Sequence, residues 1–260
     1  FQETDVVGIS TPVTKWNIQV TQAKDIPQAL AKAFYVAKTG RPGPVLIDIT
    51  KDAQFESFEF EYEACQSVRS YVPDNPVNEA QIKKAAALIN QAKKPYVLFG
   101  QGVVLAEAQE EFRKFIEKGD LPAAWTILGI SALSSHHPLN MGMLGMHGNY
   151  GPNLLTNECD VLIAVGMRFD DRVTGDLSRY AKQAKVIHLE IDPAEINKNV
   201  YAEVPVLGNC KQSLQMLTEL LEEKKHDDWK QEFYNCKQKE FLEVVEEELS
   251  PSLEKEMTMG

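Results

Sequence analysis

The strongest constraint on the fold of this chain is a repeated alternation of short apolar runs with longer amphipathic segments. The apolar runs are typical of buried strands, and they are PVLIDI, PYVLFG, PAAWT, VLIAVG, VIHLEI and VPVLG. The amphipathic segments are typical of helices, and they include DIPQALAKAFYVAKTG, NEAQIKKAAALINQAK, EEFRKFIEK and KQSLQMLTELLEEKK. Strands that are separated by helices, without hairpin turns, pair in parallel through right-handed crossovers. The sequence therefore predicts an α/β fold with a doubly wound parallel sheet.

Local signals predict where several of the helices begin. Asp25 and Asn78 are each followed three residues later by a glutamine, which is the spacing of a capping box. Asp192 is followed by Pro193, a residue that favours the first helical position, so we expect Asp192 to cap a helix in PAEINKN. Between about residues 55 and 75 the alternation is replaced by a polar, acidic stretch that ends in two prolines. This stretch is predicted to be a linker between domains.

Composition and charge narrow the classes of function. The formal net charge of −11 disfavours a general nucleic-acid-binding protein, because neutralising a phosphate backbone requires clustered Lys and Arg. No apolar run approaches the roughly 20 residues that a membrane helix needs, so we expect no membrane partner. The cysteines are widely spaced and form no C-x-x-C pair, which suggests neither a zinc site nor a disulfide framework, and they are Cys65, Cys159, Cys210 and Cys236.

Several predicted strands end in segments that are unusually polar or rich in glycine. In a doubly wound sheet, ligands bind beyond the carboxyl ends of the strands. The segment GMRFDDRVTG follows VLIAVG, and MGMLGMHGNYG, FGQG and the acidic end of HLEID lie at similar places. Each has a simpler explanation: surface charges that pair with one another, a gap-filling loop, a plain strand-to-helix turn or a helix cap. His147 alone does not indicate a metal. Together these segments make an elongated nucleotide cofactor a reasonable hypothesis.

The order of five longer segments resembles a known family along nearly the whole chain. These segments are FQETDVVGISTPVTKWN, GRPGPVLIDITKDAQ, MGMLGMHG, GMRFDDRVTG and IHLEIDPAEINKN. They are similar to the catalytic subunits of acetohydroxyacid synthase (acetolactate synthase), a thiamine diphosphate-dependent family of branched-chain amino-acid biosynthesis. The resemblance implies that residues 1–54 are the C-terminal part of a pyrimidine-binding domain and residues 76–225 are a Rossmann-like central domain. Residues 226–260 are then expected to be an acidic helical linker towards a third, diphosphate-binding domain.

The resemblance also implies that this chain is an internal fragment. The activating glutamate of the family and its Gly-Asp-Gly metal motif have no convincing match here, so thiamine diphosphate and Mg²⁺ are expected to bind mainly to other parts of the intact enzyme, and this chain alone is expected to be inactive. No metal ligand is assigned within it.

Central domains of this family bind FAD, and the resemblance assigns a set of residues to that cofactor. The isoalloxazine and ribityl surroundings are expected at Thr126, Ile127, Leu128, Leu144, Gly145, Met146 and His147. The pyrophosphate is expected at Gly100, Gln101 and Gly102, and the length of the cofactor along Gly166, Met167, Arg168, Asp170, Arg172 and Val173. The adenosine half is expected at Glu190, Ile191, Gly208, Asn209 and Cys210, with Arg41 reaching the cofactor from the first domain. Gln101, Met167 and Asn209 depart from the residues that the family has at these positions.

The substrates implied by the resemblance are 2-keto acids, because these enzymes condense pyruvate with pyruvate or 2-ketobutyrate. The substrate side is expected to involve Phe1, Gln2, Lys51, Met146, Asp171 and Arg172. An arginine suits a 2-keto acid because its planar guanidinium pairs with two carboxylate oxygens. The intact enzyme is expected to be a homodimer or homotetramer with a regulatory small subunit as a further partner. It is expected in the cytoplasm of a bacterium or in the plastid of a plant.

Three alternatives stay open from the sequence. The chain could belong to another thiamine diphosphate carboligase or decarboxylase, such as a glyoxylate carboligase or an oxalyl-type enzyme. It could instead be a non-catalytic scaffold or oligomerisation domain that ignores FAD. An NAD-dependent dehydrogenase is disfavoured because FGQG lacks the third glycine of the dinucleotide fingerprint.

Overall fold

The computed structural model describes residues 4–249, and its internal contacts divide the chain into two compact units, Phe1–Asn75 and Pro76–Gly260. The first unit is built on two parallel strands that pair in register from Trp16 with Val45 to Val20 with Ile49. Its elements are α1 (Val6–Ser10), β1 (Trp16–Val20), α2 (Ile26–Lys38), β2 (Val45–Ile49) and α3 (Lys51–Phe55). Helix α2 forms the crossover between the two strands, as parallel pairing requires.

Helix α2 begins differently from the sequence-based prediction. A 3₁₀ turn, Ala23–Asp25, leads into the helix, and Asp25 itself has helical backbone angles. Its side chain makes no capping hydrogen bond, because a capping residue needs an extended backbone to reach the first N–H groups. The capping box predicted at Asp25 is therefore wrong. Asn78, by contrast, has an extended backbone and accepts hydrogen bonds from the N–H groups of Ala80 and Gln81.

Residues 56–75 contain no helix and no strand longer than an isolated bridge between Val68 and Tyr71. Tyr71 fastens this stretch to the end of α2, because its hydroxyl donates to Thr39 O at 2.8 Å and accepts from Lys15 Nζ at 2.9 Å. The stretch is thus attached to the first unit. Its role as a linker stays a prediction.

The second unit is a doubly wound α/β domain, which confirms the predicted fold class. Its strands are β3 (Pro95–Phe99), β4 (Ala123–Trp125), β5 (Asn140–Met143), β6 (Val161–Val165), β7 (Lys185–Glu190) and β8 (Val204–Leu207). Its helices are α4 (Glu79–Gln91), α5 (Gln101–Leu105), α6 (Gln109–Gly119), α7 (Tyr150–Leu155), α8 (Asp171–Thr174), α9 (Cys210–Leu220) and α10 (Asp227–Glu240), with a 3₁₀ helix at Ile127–Ala132 and a π-helical stretch at Phe241–Leu249. All neighbouring strands are parallel.

The strand order is β5-β4-β3-β6-β7-β8, so the chain winds outward in one direction from β3 and then in the other direction from β6. The two faces of the sheet have separate cores, because neighbouring residues of a strand point to opposite faces. On one face Val97 and Phe99 pack with residues of α4, α6 and α9. On the other face Tyr96 and Leu98 pack with residues of α7 and α10. The point of reversal, between β3 and β6, is where this architecture places a ligand crevice.

Two further boundaries differ from the predictions. Helix α9 ends at Leu220 rather than near residue 225, because Leu221 is extended and its side chain is buried in the core. The segment after β7 forms turns instead of the helix expected in PAEINKN. Asp192 caps such a turn, since its Oδ1 atom accepts from the N–H of Ala194 at 3.0 Å.

Helix α10 is an integral part of the second unit, whereas residues 226–260 were expected to be a linker. Trp229 and Phe233 on this helix are buried in the core on one face of the sheet, and the indole N–H of Trp229 donates to Pro95 O at 2.8 Å. A boundary at residue 225 would leave this face of the core uncovered. Residues 250–260, which complete the predicted linker, lie outside the described residues.

An ion pair anchors the start of α10. The Asp120 carboxylate, at the end of α6, accepts from Lys230 Nζ and from the backbone N–H of His226, both at 2.8 Å. Burial alone would raise the pKa of Asp120, but these two hydrogen bonds outweigh it and lower the pKa below its usual range. The carboxylate is therefore charged at neutral pH, and both ends of the interaction are ionised.

Within residues 4–249, none of the helices combines the length and the apolar character of a membrane span. The same part of the chain contains no group of three or more His, Cys, Asp or Glu side chains arranged to hold a metal ion.

The burial of Trp229 gives a direct test of the role of α10. Replacing Trp229 with alanine should lower the free energy of unfolding by about 3–5 kcal/mol, because it removes a fully buried aromatic side chain and leaves a cavity. Urea denaturation of the two proteins measures the difference. Gln231→Ala on the exposed side of the same helix is the control and should stay within about 0.5 kcal/mol of the parent. A small effect of Trp229→Ala would mean that α10 is a detachable linker after all.

Candidate functional site

Every strand of the six-stranded sheet ends at a segment that the sequence singled out for ligand binding. Strands β4, β3 and β6 end immediately before Thr126, Gly100 and Gly166. Strands β5 and β8 end immediately before Leu144 and Gly208, and β7 has Glu190 as its last residue. Because the strands are parallel, all of these positions lie along one edge of the sheet, which we call the carboxyl edge. The predicted central-domain residues therefore form one continuous row.

At the centre of the row, the start of α5 and the loop after β6 touch through their backbones. Gly102 N–H donates to Gly166 O at 2.9 Å, and a Cβ atom on Gly102 would lie 2.6 Å from Gly166 Cα. Gly166 has a φ of +55°, and a Cβ atom there would lie 2.7 Å from Gly102 Cα. Any larger residue would force the loops apart. The glycines are thus explained by loop-to-loop contact, whereas their approach to a ligand stays a prediction.

On the β4 and β5 side, apolar side chains are exposed at the carboxyl edge. Ile127, Leu128 and Met146 are 65%, 60% and 60% exposed. Their segments are adjacent, because β4 and β5 pair at Trp125 and Met143 and the N–H of Leu144 donates to Trp125 O at 3.1 Å. A cluster of exposed large apolar side chains at the rim of a crevice is typical of a surface that meets a partner or an apolar ligand.

The segment GMRFDDRVTG forms the end of β6, a loop and the short helix α8. Asp170 caps α8, since its Oδ1 atom accepts from the N–H of Val173 at 3.3 Å. Its Oδ2 atom lies 3.3 Å from Arg168 Nη2 in a solvent-exposed ion pair, which contributes roughly 0–1 kcal/mol. Arg172 Nη1 lies 3.5 Å from Met146 Sδ. The pairing of charges expected from the simpler explanation is therefore present for Arg168 and Asp170, while Arg172 lies against the exposed apolar cluster.

On the β7 and β8 side, the Glu190 carboxylate is buried and has protein partners. Its Oε1 atom accepts from the N–H groups of Ile191 and Asp192 at 2.9 and 3.1 Å, and Glu190 O accepts from Gly208 N–H at 2.9 Å. The residue therefore shapes the turn after β7. A contact between Glu190 and a ribose hydroxyl stays a prediction.

Cys210 connects this side to the centre of the row. Its thiol donates to Gly102 O at 3.3 Å. Burial first, and the nearby Glu190 carboxylate second, raise the pKa of Cys210 to about 12. The thiol is consequently protonated at neutral pH and does not act as a nucleophile. Asn209, the residue before it, caps α9 by accepting from the N–H of Lys211 at 2.9 Å.

The predicted residues differ in what they present to solvent. Leu144, Met167 and Cys210 have their side chains buried in the two cores, so these side chains present little surface to solvent. The exposed predicted side chains are Gln101, Ile127, Leu128, Met146, His147, Arg168, Asp171 and Arg172. Direct side-chain recognition of a ligand by this unit would therefore rest on the exposed set.

The remaining predicted residues lie elsewhere in the chain. Arg41 and Lys51 belong to the first unit: Arg41 follows Gly40 in the loop before β2, and Lys51 is the first residue of α3. Both side chains are exposed. Phe1 and Gln2 lie outside the described residues. The substrate roles of these four residues stay predictions.

Sequence reasoning missed residues that contact the backbone of the row. Asn153 on α7 bonds both backbone groups of Gly145, and His188 on β7 contacts Met167 O through its Nε2 atom at 2.9 Å. Gly129 packs against the β3 loop, because a Cβ atom there would lie 2.9 Å from Gly100 Cα. One signal was available for Asn153, since asparagine is a poor helix former. The roles of His188 and Gly129 depend on tertiary contacts that no local pattern encodes.

Comparison with known proteins assigns the class. The sequence profile of the thiamine pyrophosphate enzyme central domain matches residues 82–217, a little over half of the chain. The chain therefore belongs to this family of thiamine diphosphate-dependent enzymes.

Similar proteins from three organisms narrow the assignment. An acetolactate synthase large subunit from Corynebacterium glutamicum is 47% identical over 219 residues, which cover 84% of this chain and 35% of the relative. One from Haemophilus influenzae is 43% identical over 251 residues, or 94% of this chain and 44% of the relative. A probable acetolactate synthase large subunit from Methanocaldococcus jannaschii is 42% identical over 243 residues, or 91% and 41%. The resemblance seen in the sequence is confirmed, and the chain spans less than half the length of these relatives.

Buried histidine gives the second unit a predictable response to pH. Burial lowers the pKa of His188, and the hydrogen bond with Met167 O opposes this only in part. The histidine of the unfolded chain has an ordinary pKa of about 6.5. The unfolded chain therefore binds more protons than the folded chain as the pH falls below about 6.5. The free energy of unfolding should be at its full value above about pH 6.5 and should fall as the pH decreases below it.

His188→Gln should make this decline shallower, because glutamine keeps an N–H donor for Met167 O and does not titrate. The decline should not vanish, since burial also lowers the pKa of His226. Urea denaturation between about pH 5 and 7.5 measures the slope, with His136→Gln, an exposed histidine, as the control. An unchanged slope in His188→Gln would contradict the assignment.

Proposed function

We propose that this chain supplies the FAD-holding central domain of an acetolactate synthase, acting within a polypeptide of the length of its relatives. The observation that carries the proposal is the row of six strand ends at the carboxyl edge, where exposed apolar and cationic side chains lie near the reversal of strand order. The names of the relatives support the activity, and the row supports an elongated nucleotide cofactor.

The chemistry along the row fits the parts of FAD in sequence. Ile127, Leu128 and Met146 offer an exposed apolar surface suited to a flat ring system. Arg168 offers a cation near the centre of the row, where an anionic pyrophosphate would lie beside the glycines of the β3 and β6 loops. The adenosine half would then extend towards Glu190, Asn209 and the turn after β8, with Arg41 of the first unit as a further contact.

The reaction that we propose is the condensation of pyruvate with pyruvate or 2-ketobutyrate. Bound thiamine diphosphate, with Mg²⁺, supplies the capacity to cleave and form the carbon–carbon bonds of 2-keto acids, and we expect both to be held mainly by other parts of the protein. In this chain, Arg172 would orient the carboxylate of the second keto acid, and Asp171 would hold or flank that arginine. Met146, which contacts Arg172, would exclude water from the same place. Phe1, Gln2 and Lys51 would complete the substrate side.

The organisation that goes with this function is also a proposal. We expect the 260-residue chain to be inactive by itself and the intact enzyme to be a homodimer or homotetramer that pairs with a regulatory small subunit. We place it in the cytoplasm of a bacterium or in the plastid of a plant.

A fluorescence titration with FAD tests the proposed cofactor. The complete protein should quench flavin fluorescence saturably, and Arg168→Ala should weaken binding by roughly tenfold to a hundredfold, because a charged hydrogen bond to an anion contributes on the order of 1.5–3 kcal/mol. Arg179→Ala is the matched control, since Arg179 is also exposed and pairs with a nearby aspartate, Asp176. Equal weakening in both variants would indicate a general charge effect. Absence of saturable FAD binding by the folded complete protein would refute the cofactor assignment.

The substrate role of Arg172 has its own test. Arg172→Lys should lower kcat/KM for 2-ketobutyrate by about tenfold or more, because an ammonium group cannot form the paired hydrogen bonds of a guanidinium with a carboxylate. Steady-state kinetics of the complete protein, with Arg179→Lys as the control, measures the change. An unchanged kcat/KM for 2-ketobutyrate would show that Arg172 does not orient this substrate.

A further inference from the structure

The loop after β5, residues 144–149, is held in place by two asparagines that the comparisons do not assign to any role. We call it the β5 loop. Asn153, one turn into α7, faces Gly145 with its amide group: Oδ1 accepts from Gly145 N–H at 2.8 Å, and Nδ2 donates to Gly145 O at 2.9 Å. One side chain thus satisfies both backbone groups of a single residue. This two-point contact fixes the orientation of Gly145 as well as its position.

The backbone at Gly145 needs this support. Its φ of +99° lies in a region that other residues rarely adopt, and a Cβ atom there would lie 2.7 Å from Arg172 O. The next residue is fixed from the opposite side, since Met146 N–H donates to Arg172 O at 2.8 Å. The peptide between Gly145 and Met146 is therefore held between α7 and α8.

The far end of the β5 loop is fastened in the same manner. Asn149 Oδ1 accepts from Met143 N–H at 2.9 Å, and Asn149 Nδ2 donates to Glu240 Oε1 on α10 at 3.1 Å. Asn149 N–H also donates to Met143 O at 2.8 Å. The loop is thus closed on itself at its base. In its middle, Gly148 N–H also donates to Gly145 O at 2.8 Å, and Asn153 is the side chain that holds both backbone groups of Gly145.

Asn153 contributes little to the fold by other means. Its side chain is exposed, so its removal leaves no buried cavity, and asparagine is a weaker helix former than alanine at such a position. Water can replace the hydrogen bonds of an exposed amide at low cost to global stability. The contact with Gly145 is therefore the only effect of Asn153 that its surroundings explain.

We propose that Asn153 is a positioning residue for the cofactor and substrate site. By holding Gly145, it presents Met146 towards the crevice and keeps the backbone of Arg172 in place through the Met146 N–H. This inference rests on the proposed function, because the ligand that Met146 and Arg172 would meet is the one proposed above. Asn153 itself touches no ligand.

The test uses Asn153→Asp in the complete protein. A carboxylate still accepts from Gly145 N–H, but it has no N–H to donate and places negative charge against Gly145 O. The Kd for FAD should rise by about tenfold, while the midpoint of urea unfolding without FAD stays unchanged. The Met146 amide should exchange faster with deuterium, because the carbonyl of its peptide, Gly145 O, loses the Asn153 donor. Asn153→Ala, which removes both hydrogen bonds without adding a charge, should act in the same direction.

Asn90→Asp is the matched control. Asn90 also bridges an N–H and a carbonyl on the second unit, since its Oδ1 accepts from Glu222 N–H and its Nδ2 donates to Leu220 O, both at 3.1 Å. It lies at the end of α4, away from the carboxyl edge, so it should leave the Kd for FAD unchanged.

Each outcome decides a distinct claim. If the parent protein binds FAD and the Asn153→Asp variant binds it with the same Kd, the positioning role alone is overturned. If the unfolding midpoint of the Asn153→Asp variant falls enough to account for the whole change in Kd, Asn153 is a structural residue. This result also overturns the positioning role. A folded parent that does not bind FAD refutes the proposed function and, with it, the positioning role.

Discussion

The close contact between Gly102 at the start of α5 and Gly166 after β6 is the constraint on which the arrangement of the carboxyl edge depends. Gly102 and Gly166 meet backbone to backbone where the strand order reverses. This is possible only without Cβ atoms on either side. The close approach brings the loop after β6 against the start of α5, and it thereby fixes where Arg168 and Asp170 leave the sheet. Cys210, the first residue of α9 after β8, contacts the same point, because its thiol donates to Gly102 O.

From this centre the carboxyl edge divides into two halves of different chemistry. The half formed by β4 and β5 exposes apolar side chains, and the guanidinium of Arg172 on α8 contacts Met146 there. The half formed by β7 and β8 has a buried carboxylate, Glu190, whose hydrogen bonds shape the turn beneath it. An elongated ligand with an apolar ring at one end and polar sugars at the other matches this order. The same division explains why the proposed substrate contacts lie at the β5 and α8 end of the row.

The sequence was sufficient for the fold and for the alignment of the polar strand ends along one edge of the sheet, because both depend on periodic patterns. Alternating apolar and amphipathic segments implied parallel strands, and parallel strands place their polar ends at one edge. It was insufficient where tertiary contacts override local preference. Asp25 has the spacing of a cap, but the chain enters α2 through a 3₁₀ turn. Leu221 leaves α9 because the core accepts its side chain. The acidic composition after residue 226 predicted a linker, although Trp229 and Phe233 in this segment are buried against one face of the sheet. Asn153 acts across eight residues on a glycine whose conformation no local pattern reveals.

The most direct test of the account is a crystal structure of the protein with FAD. We predict continuous electron density along the carboxyl edge from β5 to β8, with the pyrophosphate beside Gly100, Gly102 and Arg168 and the flavin ring against Ile127, Leu128 and Met146. Flavin density at any other surface of the second unit, or an empty edge at saturating FAD, would contradict the central claim that these strand ends form one cofactor site.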